Sequence, residues 1–223
     1  MIDSATAVDP TAQIAPDASI APDASIGGGT RVASGARIGS GCIVGRDVLV
    51  DEGVQIGDHA VIHDGALLYR GAVVEEGVFV GPRAILTSER YPRAVTSTTE
   101  LEAAAEPPAD TLVVRAGSSI GAGAVLVSGI EVGAFAMVGA GAVVTATIAG
   151  HALVVGNPAH RVGWVCSCGL PLVDAEGSPA VSEPAHYSRH PELRCPSCHR
   201  AFVYVPDADG LEEREQPAAE RLS

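Results

Sequence analysis

Aliphatic residues recur along the chain at every sixth position. From Val8 to Leu86, each sixth residue is Val, Ile or Leu, fourteen times in succession. Up to Ala84, the residue four positions after each aliphatic is small or β-branched, as at Ala18 and Ala36. A period of six matches neither the 3.6-residue period of a helix nor the two-residue period of a long strand. It predicts stacked coils, in which each short strand directs one aliphatic side chain inward before the chain turns.

The period is interrupted once. It stops after Leu86 and resumes at Val114, a gap of 28 residues that is not a multiple of six. Residues 87–113 are therefore predicted to form an inserted loop, and a loop of this length in a compact domain commonly carries function. Residues 132–160 contain no charged side chain and are long enough for a membrane span. The regular glycines in that run favour the repeat instead.

The amino-acid composition limits which side chains can fill the core and which classes of partner the protein can bind. Hydrophobic residues make up 47% of the 223 residues but aromatic residues only 4%, so aliphatic side chains must fill the core. The 14 basic residues, all arginine, face 27 acidic ones, which gives a net charge of −13. This charge argues against nucleic acid or an anionic membrane as a partner. The N-terminus lacks the basic and apolar regions of a signal peptide, so we expect a cytoplasmic protein with reduced cysteines.

The repeat and three further stretches resemble known proteins. The hexads over residues 8–160 are similar to the hexapeptide signature of left-handed β-helix proteins. Residues 77–94, 134–145 and 153–164 resemble nucleotide-sugar N-acetyltransferases, which acetylate the 3-amino group of UDP- or dTDP-linked amino sugars for surface polysaccharides. The resemblance implies an all-β, left-handed parallel β-helix in residues 1–164, assembled as a homotrimer. It also implies acetyl-CoA as the acyl donor.

The resemblance also implies which residues bind the donor. Small corner residues let the pantetheine arm lie close to the coils, and the stretch that begins at Asn157 lies near the adenine end in the family. Arg161 is suited to pairing with a CoA phosphate. The alternative is that the small residues are only corners of the repeat. The expected cofactor-binding residues are Gly123, Ala140, Gly141, Ala142, Asn157, Pro158, Ala159 and Arg161.

On the acceptor side the chain departs from its relatives. Where they commonly carry Asn-x-x-x-Thr-Asn-Asp after Gly-Pro, this chain has Arg83, Thr87, Ser88 and Glu89. Ser88 is the expected catalytic contact to the sugar, and a guanidinium such as that of Arg93 suits a uronate carboxylate or a pyrophosphate. The alternative for Arg93 is a surface charge of the loop. The expected substrate-binding residues are Arg83, Glu89, Tyr91 and Arg93.

Three other side chains qualify as chemical candidates within the repeat. His63 follows the inward Ile62 at a turn and is a candidate general base, with a solvent-facing corner as the alternative. His151 is expected at a coil end and Cys42 in the core. A zinc carbonic anhydrase of the same fold needs three histidines, whereas only His59 and His63 are neighbours within the repeat.

After Trp164 the repeat gives way to two pairs of cysteines. Four thiols in two close pairs are the ligand set of a structural zinc site, and Ala201–Val205 alternates like a strand. Residues 165–206 are therefore predicted to be a zinc-ribbon-like appendage, and residues 207–223 an acidic disordered tail. The alternatives are free thiols, or a histidine (His186, His190 or His199) in place of one cysteine. The expected metal ligands are Cys166, Cys168, Cys195 and Cys198.

The sequence therefore favours an acetyl-CoA-dependent N-acetyltransferase that acts on a nucleotide-linked amino sugar. Two alternatives remain open. One is a hexapeptide-type O-acetyltransferase, with a hydroxyl acceptor. The other is a non-catalytic β-helix scaffold, for which the departures at Arg83 and Ser88 are the sequence support.

Overall fold

The regular structure of the described part of the chain consists of β-strands. The computed structural model describes residues 7–93, 110–180, 192–206 and 209–214, and these contain twenty-five strands, β1 to β25. The first twenty-two strands form three sheets, and the last three form a separate sheet.

Sheet 1 has nine strands: β1 (Ala7–Val8), β4 (Ser25–Ile26), β7 (Ile43–Val44), β10 (Val61–Ile62), β13 (Phe79–Val80), β16 (Ser119–Ile120), β19 (Met137–Val138), β21 (Ala152–Val155) and β22 (His160–Trp164). Sheet 2 has seven: β2 (Gln13–Ile14), β5 (Arg31–Val32), β8 (Leu49–Val50), β11 (Leu67–Leu68), β14 (Ile85–Leu86), β17 (Val125–Leu126) and β20 (Val143–Val144). Sheet 3 has six: β3 (Ser19–Ile20), β6 (Arg37–Ile38), β9 (Gln55–Ile56), β12 (Ala72–Val74), β15 (Leu112–Val114) and β18 (Glu131–Val132).

Consecutive strands visit sheets 1, 2 and 3 in turn, so three hexads make one coil. From β1 to β21, each strand pairs in parallel with the strand one coil away, whereas β22 pairs antiparallel with β21. Ser25 is opposite Ile43, and Ile43 is opposite Val61, at intervals of eighteen residues. Backbone hydrogen bonds join the coils, as from the Ile43 N–H to the Ala60 carbonyl at 2.9 Å. The predicted parallel β-helix is confirmed, with about 7 turns.

The sixth-position aliphatics form the core between the three sheets. From Ile20 to Leu86 every one of them is at most 4% exposed, and the small residues that alternate with them are buried too. Cys42 is fully buried among them, and its thiol donates to the Gly57 carbonyl at 3.0 Å. Burial raises the pKa of the Cys42 thiol, so its predicted place in the core is confirmed.

The corners of the coils use glycine for two different reasons. A side chain on Gly121 would overlap the backbone of Gly139 and Ala140 in the next coil. Gly77, in contrast, has open space around its Cα but a φ of 63°, in the left-handed region that favours glycine. Gly121 therefore permits close stacking of coils, whereas Gly77 permits a turn.

The inserted loop leaves the coil between sheets 2 and 3. It follows β14, which ends at Leu86, and the chain re-enters the coil at β15. Leu112 and Val113, which the sequence placed in the loop, belong to β15 because they pair with Ala72 and Val73 of β12. Residues 94–109 of the loop lie outside the described residues.

The charge-free run at 132–160 forms strands and corners of the last coils rather than a membrane span. A parallel bridge between Val132 and Ile148 continues sheet 3 where the regular strands end. Among the described residues, no helix is long and apolar enough to cross a membrane.

The fourth sheet belongs to the C-terminal appendage. It is antiparallel and contains β23 (Glu192–Arg194), β24 (Ala201–Val205) and β25 (Gly210–Glu213). The predicted strand at Ala201–Val205 is confirmed. Strand β25, however, falls within the stretch 207–223 that the sequence assigned to a disordered tail. Its pairing with β24 places residues 209–214 in the appendage.

Aromatic rings join the appendage to the last coils. The His151 ring lies between the rings of Phe135 and Phe202, at centroid distances of 5.3 and 5.0 Å. Burial lowers the pKa of His151, and its Nδ1 is 3.0 Å from the Val165 carbonyl oxygen. As expected, His151 lies at a coil end, where it acts as a packing residue between the two parts of the chain.

Candidate functional site

The three sheets form the faces of a triangular prism. Several predicted site residues lie along the edge of this prism where sheets 1 and 2 meet. The Arg83 N–H donates to the Asp64 carbonyl at 3.0 Å, beside His63 in the preceding coil. One coil further on, the Gly123 N–H donates to the Pro82 carbonyl at 2.9 Å. The Gly141 N–H then donates to the Ala122 carbonyl at 2.9 Å. His63, Arg83, Gly123 and Gly141 therefore follow one another along this edge, which we call the 1–2 edge.

The two larger side chains of the 1–2 edge are exposed. Arg83 has a φ of 58° at a position where the coils above and below carry glycine, and its Cγ lies over Gly65. The His63 ring is 4.9 Å from the ring of Phe79, which is itself 39% exposed. The edge thus offers an imidazole, a guanidinium and an exposed aromatic ring beside small corner residues.

The remaining donor residues continue the same edge, with one exception. Ala140 is exposed next to Gly141, and the Ala159 N–H donates to the Val143 carbonyl at 2.8 Å, which places the 157–159 turn beside the end of sheet 2. Ala142, in contrast, is fully buried with its side chain inside the prism. Its backbone N–H donates to the Gly139 carbonyl and its carbonyl accepts from the Val125 N–H, so the structure does not support the predicted contact of Ala142 with the donor.

Arg161 is held inside the protein by residues on both sides of its guanidinium. The guanidinium carbon is 4.4 Å from the centre of the Trp164 ring. On the other side, Nη2 donates to Oδ1 of Asp209 at 2.8 Å, and Nη1 donates to the Asp209 carbonyl at 3.4 Å. The Arg161 guanidinium is the main reason why the pKa of Asp209 is lowered. The predicted role of Arg161 at a CoA phosphate stays a prediction.

The predicted acceptor residues lie at a different corner. Ser88, Glu89, Tyr91 and Arg93 follow β14 at the junction of sheets 2 and 3, where the inserted loop begins. Ser88 is half-buried, whereas Tyr91 is 83% exposed. His63 and Ser88, the two predicted catalytic residues, are thus separated by the width of sheet 2. One chain alone does not bring them together.

Arg90, which the sequence did not single out, fixes the start of the loop. Its Nη2 donates to the Thr145 carbonyl at 3.0 Å and its Nη1 to the Ser128 carbonyl at 3.5 Å. The Ser128 N–H in turn donates to Oγ1 of Thr87 at 3.0 Å. No sequence motif predicts these contacts, because the partners of Arg90 are backbone carbonyls 38 and 55 residues away.

The four cysteines of the appendage form a compact cluster. Their Sγ atoms all lie within 4.8 Å of one another, with Cys166 3.4 Å from Cys198 and Cys168 3.5 Å from Cys195. Ligands at Zn–S distances near 2.3 Å in a tetrahedron are separated by about 3.8 Å. The geometry and the donor set therefore fit a tetrahedral metal ion such as zinc.

The environment of the cluster favours the thiolate form at one position. Burial raises the pKa of Cys195, but the backbone N–H groups of Cys198 and Ser197 and the neighbouring thiols outweigh it and bring the pKa to about 7. Of the histidines that might replace a cysteine, His186 and His190 lie outside the described residues. The cluster consists of the four cysteines that the sequence indicated.

Comparisons with known proteins support the resemblance in sequence and in fold. A 56-residue segment, 25% of the chain, is 54% identical to dTDP-3-amino-3,6-dideoxy-alpha-D-galactopyranose 3-N-acetyltransferase from Aneurinibacillus thermoaerophilus. The segment spans only 29% of that relative. No family model matches the chain.

Solved structures address the fold. A hexapeptide-repeat acetyltransferase from Vibrio cholerae, solved with acetyl-CoA, superimposes with a TM-score of 0.50 at 23% identity, covering 59% of this chain and 72% of that one. The chain has the fold of the hexapeptide-repeat acetyltransferases. A maltose O-acetyltransferase from Clostridium difficile also gives a TM-score of 0.50, at 18% identity, with 59% and 70% of the two chains covered. The predicted left-handed β-helix class is confirmed.

Proposed function

We propose that the protein is an acetyl-CoA-dependent N-acetyltransferase whose acceptor is the amino group of a nucleotide-linked 3-amino sugar. The observation that carries this proposal is the segment 54% identical to a dTDP-3-amino-sugar 3-N-acetyltransferase, in a chain with the hexapeptide-repeat fold. The 1–2 edge, with its small corner residues, supplies a surface along which an extended donor can lie against the backbone.

The reaction places three demands on the site. The sugar amine must be neutral to attack the thioester carbonyl, the departing thiolate must gain a proton, and the oxyanion needs a hydrogen-bond donor. We assign the donor track to the corners at Gly123, Ala140 and Gly141, where small residues let the donor approach the backbone. The N–H groups of Gly123 and Gly141 donate to carbonyls of the preceding coil, so the oxyanion needs a different hydrogen-bond donor. We assign His63 as the base candidate and Ser88 as the hydrogen-bonding contact to the sugar.

The separation of His63 from Ser88 within one chain implies that several protomers assemble to form the active site. Because sheet 2 lies between the 1–2 edge and the start of the loop, His63 and Ser88 meet only if the loop of one protomer reaches the 1–2 edge of another. Ile43 and Phe79, on sheet 1, are 55% and 39% exposed and suit contact with a second copy. We therefore propose a homotrimer with active sites between protomers.

We further propose that the cysteine cluster holds a structural zinc ion. The ligands would be Cys166, Cys168, Cys195 and Cys198, all supplied by the protein, so the metal would have no open position for chemistry. Such an ion supplies folding free energy to a small module rather than a reacting group.

Acetyl-CoA is expected to raise the unfolding temperature of the protein. A ligand at 100 times its Kd stabilises the native state by about 2.7 kcal/mol, which is enough for a clear shift. Turnover is then measured as free thiol release with UDP- and dTDP-linked 3-amino sugars. The matched control substrate carries a hydroxyl in place of the amine. No shift at millimolar acetyl-CoA would contradict the proposal and favour a non-catalytic scaffold.

Replacing Arg93 with alanine is expected to raise the KM for the nucleotide sugar about tenfold while changing the KM for acetyl-CoA little. The reason is the loss of a charge-assisted contact of about 1.5 kcal/mol or more to the acidic acceptor. Steady-state kinetics with each substrate varied in turn make the measurement. Arg37→Ala, on sheet 3, is the control for removal of an arginine elsewhere. Equal rises in both KM values would exclude Arg93 as a sugar contact.

A further inference from the structure

The last coil and the appendage line an open cleft of about 520 Å³. Most of its lining is apolar or small, and it contains one basic and one acidic side chain. The lining residues that matter here are Thr147, Val154, Ala159, Arg161 and Asp209. Ala159 and Arg161 are expected donor-binding residues, whereas Asp209 comes from the appendage. The cleft thus combines parts of both halves of the chain.

Both terminal nitrogens of Arg161 already donate a hydrogen bond within the cleft. Nη1 and Nη2 both point to Asp209, and Nε is buried without a hydrogen-bond partner among the described residues. The Trp164 ring fixes the plane of the guanidinium from one side. While Asp209 stays in place, an incoming anion therefore finds only the second N–H of each terminal nitrogen, beside a carboxylate of like charge.

Asp209 is held in this position by a second contact from the appendage. The Tyr204 hydroxyl donates to Oδ1 of Asp209 at 2.7 Å, and this bond and the ion pair act on the same carboxylate oxygen. The contact with Arg161 lowers the pKa of Asp209, so the carboxylate is charged at neutral pH. A fixed negative charge therefore faces the guanidinium.

We propose that Asp209 lowers the affinity of this cleft for a phosphorylated ligand by occupying Arg161. The inference rests on the proposed function, since the ligand is the phosphate-bearing end of acetyl-CoA. A phosphate is a bidentate acceptor for arginine, but Asp209 already takes one N–H of each terminal nitrogen, and its negative charge repels a second anion at the same guanidinium. The appendage thereby sets how tightly the donor is held.

Asp209→Asn keeps the side-chain shape and removes the charge. We expect this variant to bind acetyl-CoA about three- to fivefold more tightly in calorimetric titration. The expected gain in affinity is small because the Asp209 side chain is 64% exposed, and solvent weakens an exposed ion pair. S-acetylpantetheine, which lacks every phosphate, is the control ligand and should bind the variant and the original protein equally. Glu192→Gln, elsewhere on the appendage, controls for the change in net charge.

The double variant Arg161→Ala with Asp209→Asn should lose the gain in affinity, because the phosphate partner is gone. An unchanged or weaker affinity of Asp209→Asn for acetyl-CoA overturns the inference, as does an equal gain with S-acetylpantetheine or with Glu192→Gln. If the original protein and all variants fail to bind acetyl-CoA, the proposed function itself fails. Unchanged metal content in every variant, and unchanged Trp164 fluorescence in the variants that keep Arg161, show that the appendage is folded.

Discussion

Replacing Cys195 with serine is expected to abolish metal binding and to unfold the appendage while the β-helix stays folded. Apparent binding free energies of structural zinc in small domains are about 10–16 kcal/mol, and a three-stranded sheet with few buried side chains has little else to offset chain entropy. Metal analysis should fall from about one zinc per chain to none. Trp164, the single tryptophan, is only 1% exposed beside the appendage, so its emission should shift to the red.

Cys42→Ser is the matched control for this substitution. Cys42 lies in the β-helix core, apart from the cluster, and a serine hydroxyl can still donate to the Gly57 carbonyl. It should keep the full metal content and leave Trp164 emission unchanged. A Cys195→Ser protein that retained one zinc and a buried Trp164 would show that the four cysteines do not form the site. Circular dichroism separates unfolding of the appendage from loss of the whole fold.

Gly121→Ala should have the largest effect on the stability of the β-helix. The added methyl group would overlap the backbone of Gly139 and Ala140, and these atoms cannot move without separating two coils. We expect a loss of about 3 kcal/mol or more, comparable to severe overpacking of a core. Chemical denaturation followed by circular dichroism gives the free energy of unfolding.

Gly77→Ala is the control because it tests the other use of glycine at a corner. Nothing lies within 4 Å of the added methyl group, so only the positive φ is penalised, at about 1 kcal/mol. The two variants should therefore differ by about 2 kcal/mol, at the low end of these values. Equal losses would mean that close contact between the coils is not what requires glycine at position 121.

The sequence predicted the β-helix well because one physical rule is repeated in every hexad. Each inward position must be aliphatic, and the buried position four residues later must be small or β-branched. The periodic series from Ile20 to Leu86 therefore carries the same information many times. The cysteine cluster was predictable for a related reason, since thiols in close pairs have few other uses in a reduced protein. In both cases the chemistry of the residue type, aliphatic or thiol, determines where the side chain lies in the fold.

The contacts of Arg90, Arg161 and Asp209 could not be predicted in this way. Arg90 bonds to backbone carbonyls, which every residue possesses, so its sequence neighbours give no signal. Asp209 meets Arg161 across 48 residues and two different sheets, and an acidic stretch after residue 206 looks like a solvated tail. The burial of Ala142 could not be predicted either, because an alanine in a Gly/Ala-rich run does not reveal whether it faces the core or the surface.

The eighteen-residue coil also determines how the length of such a protein can change. Removing one whole coil joins strands that already share a sheet, so every later side chain keeps its inward or outward direction. Removing a single hexad instead transfers all later strands to the neighbouring sheet and rotates the surface they present by a third of a turn. An insertion at a corner, like the loop after Leu86, avoids both effects. Homologues of different length should therefore differ by entire coils or by corner loops, and the edge that bears the donor track should keep its alignment.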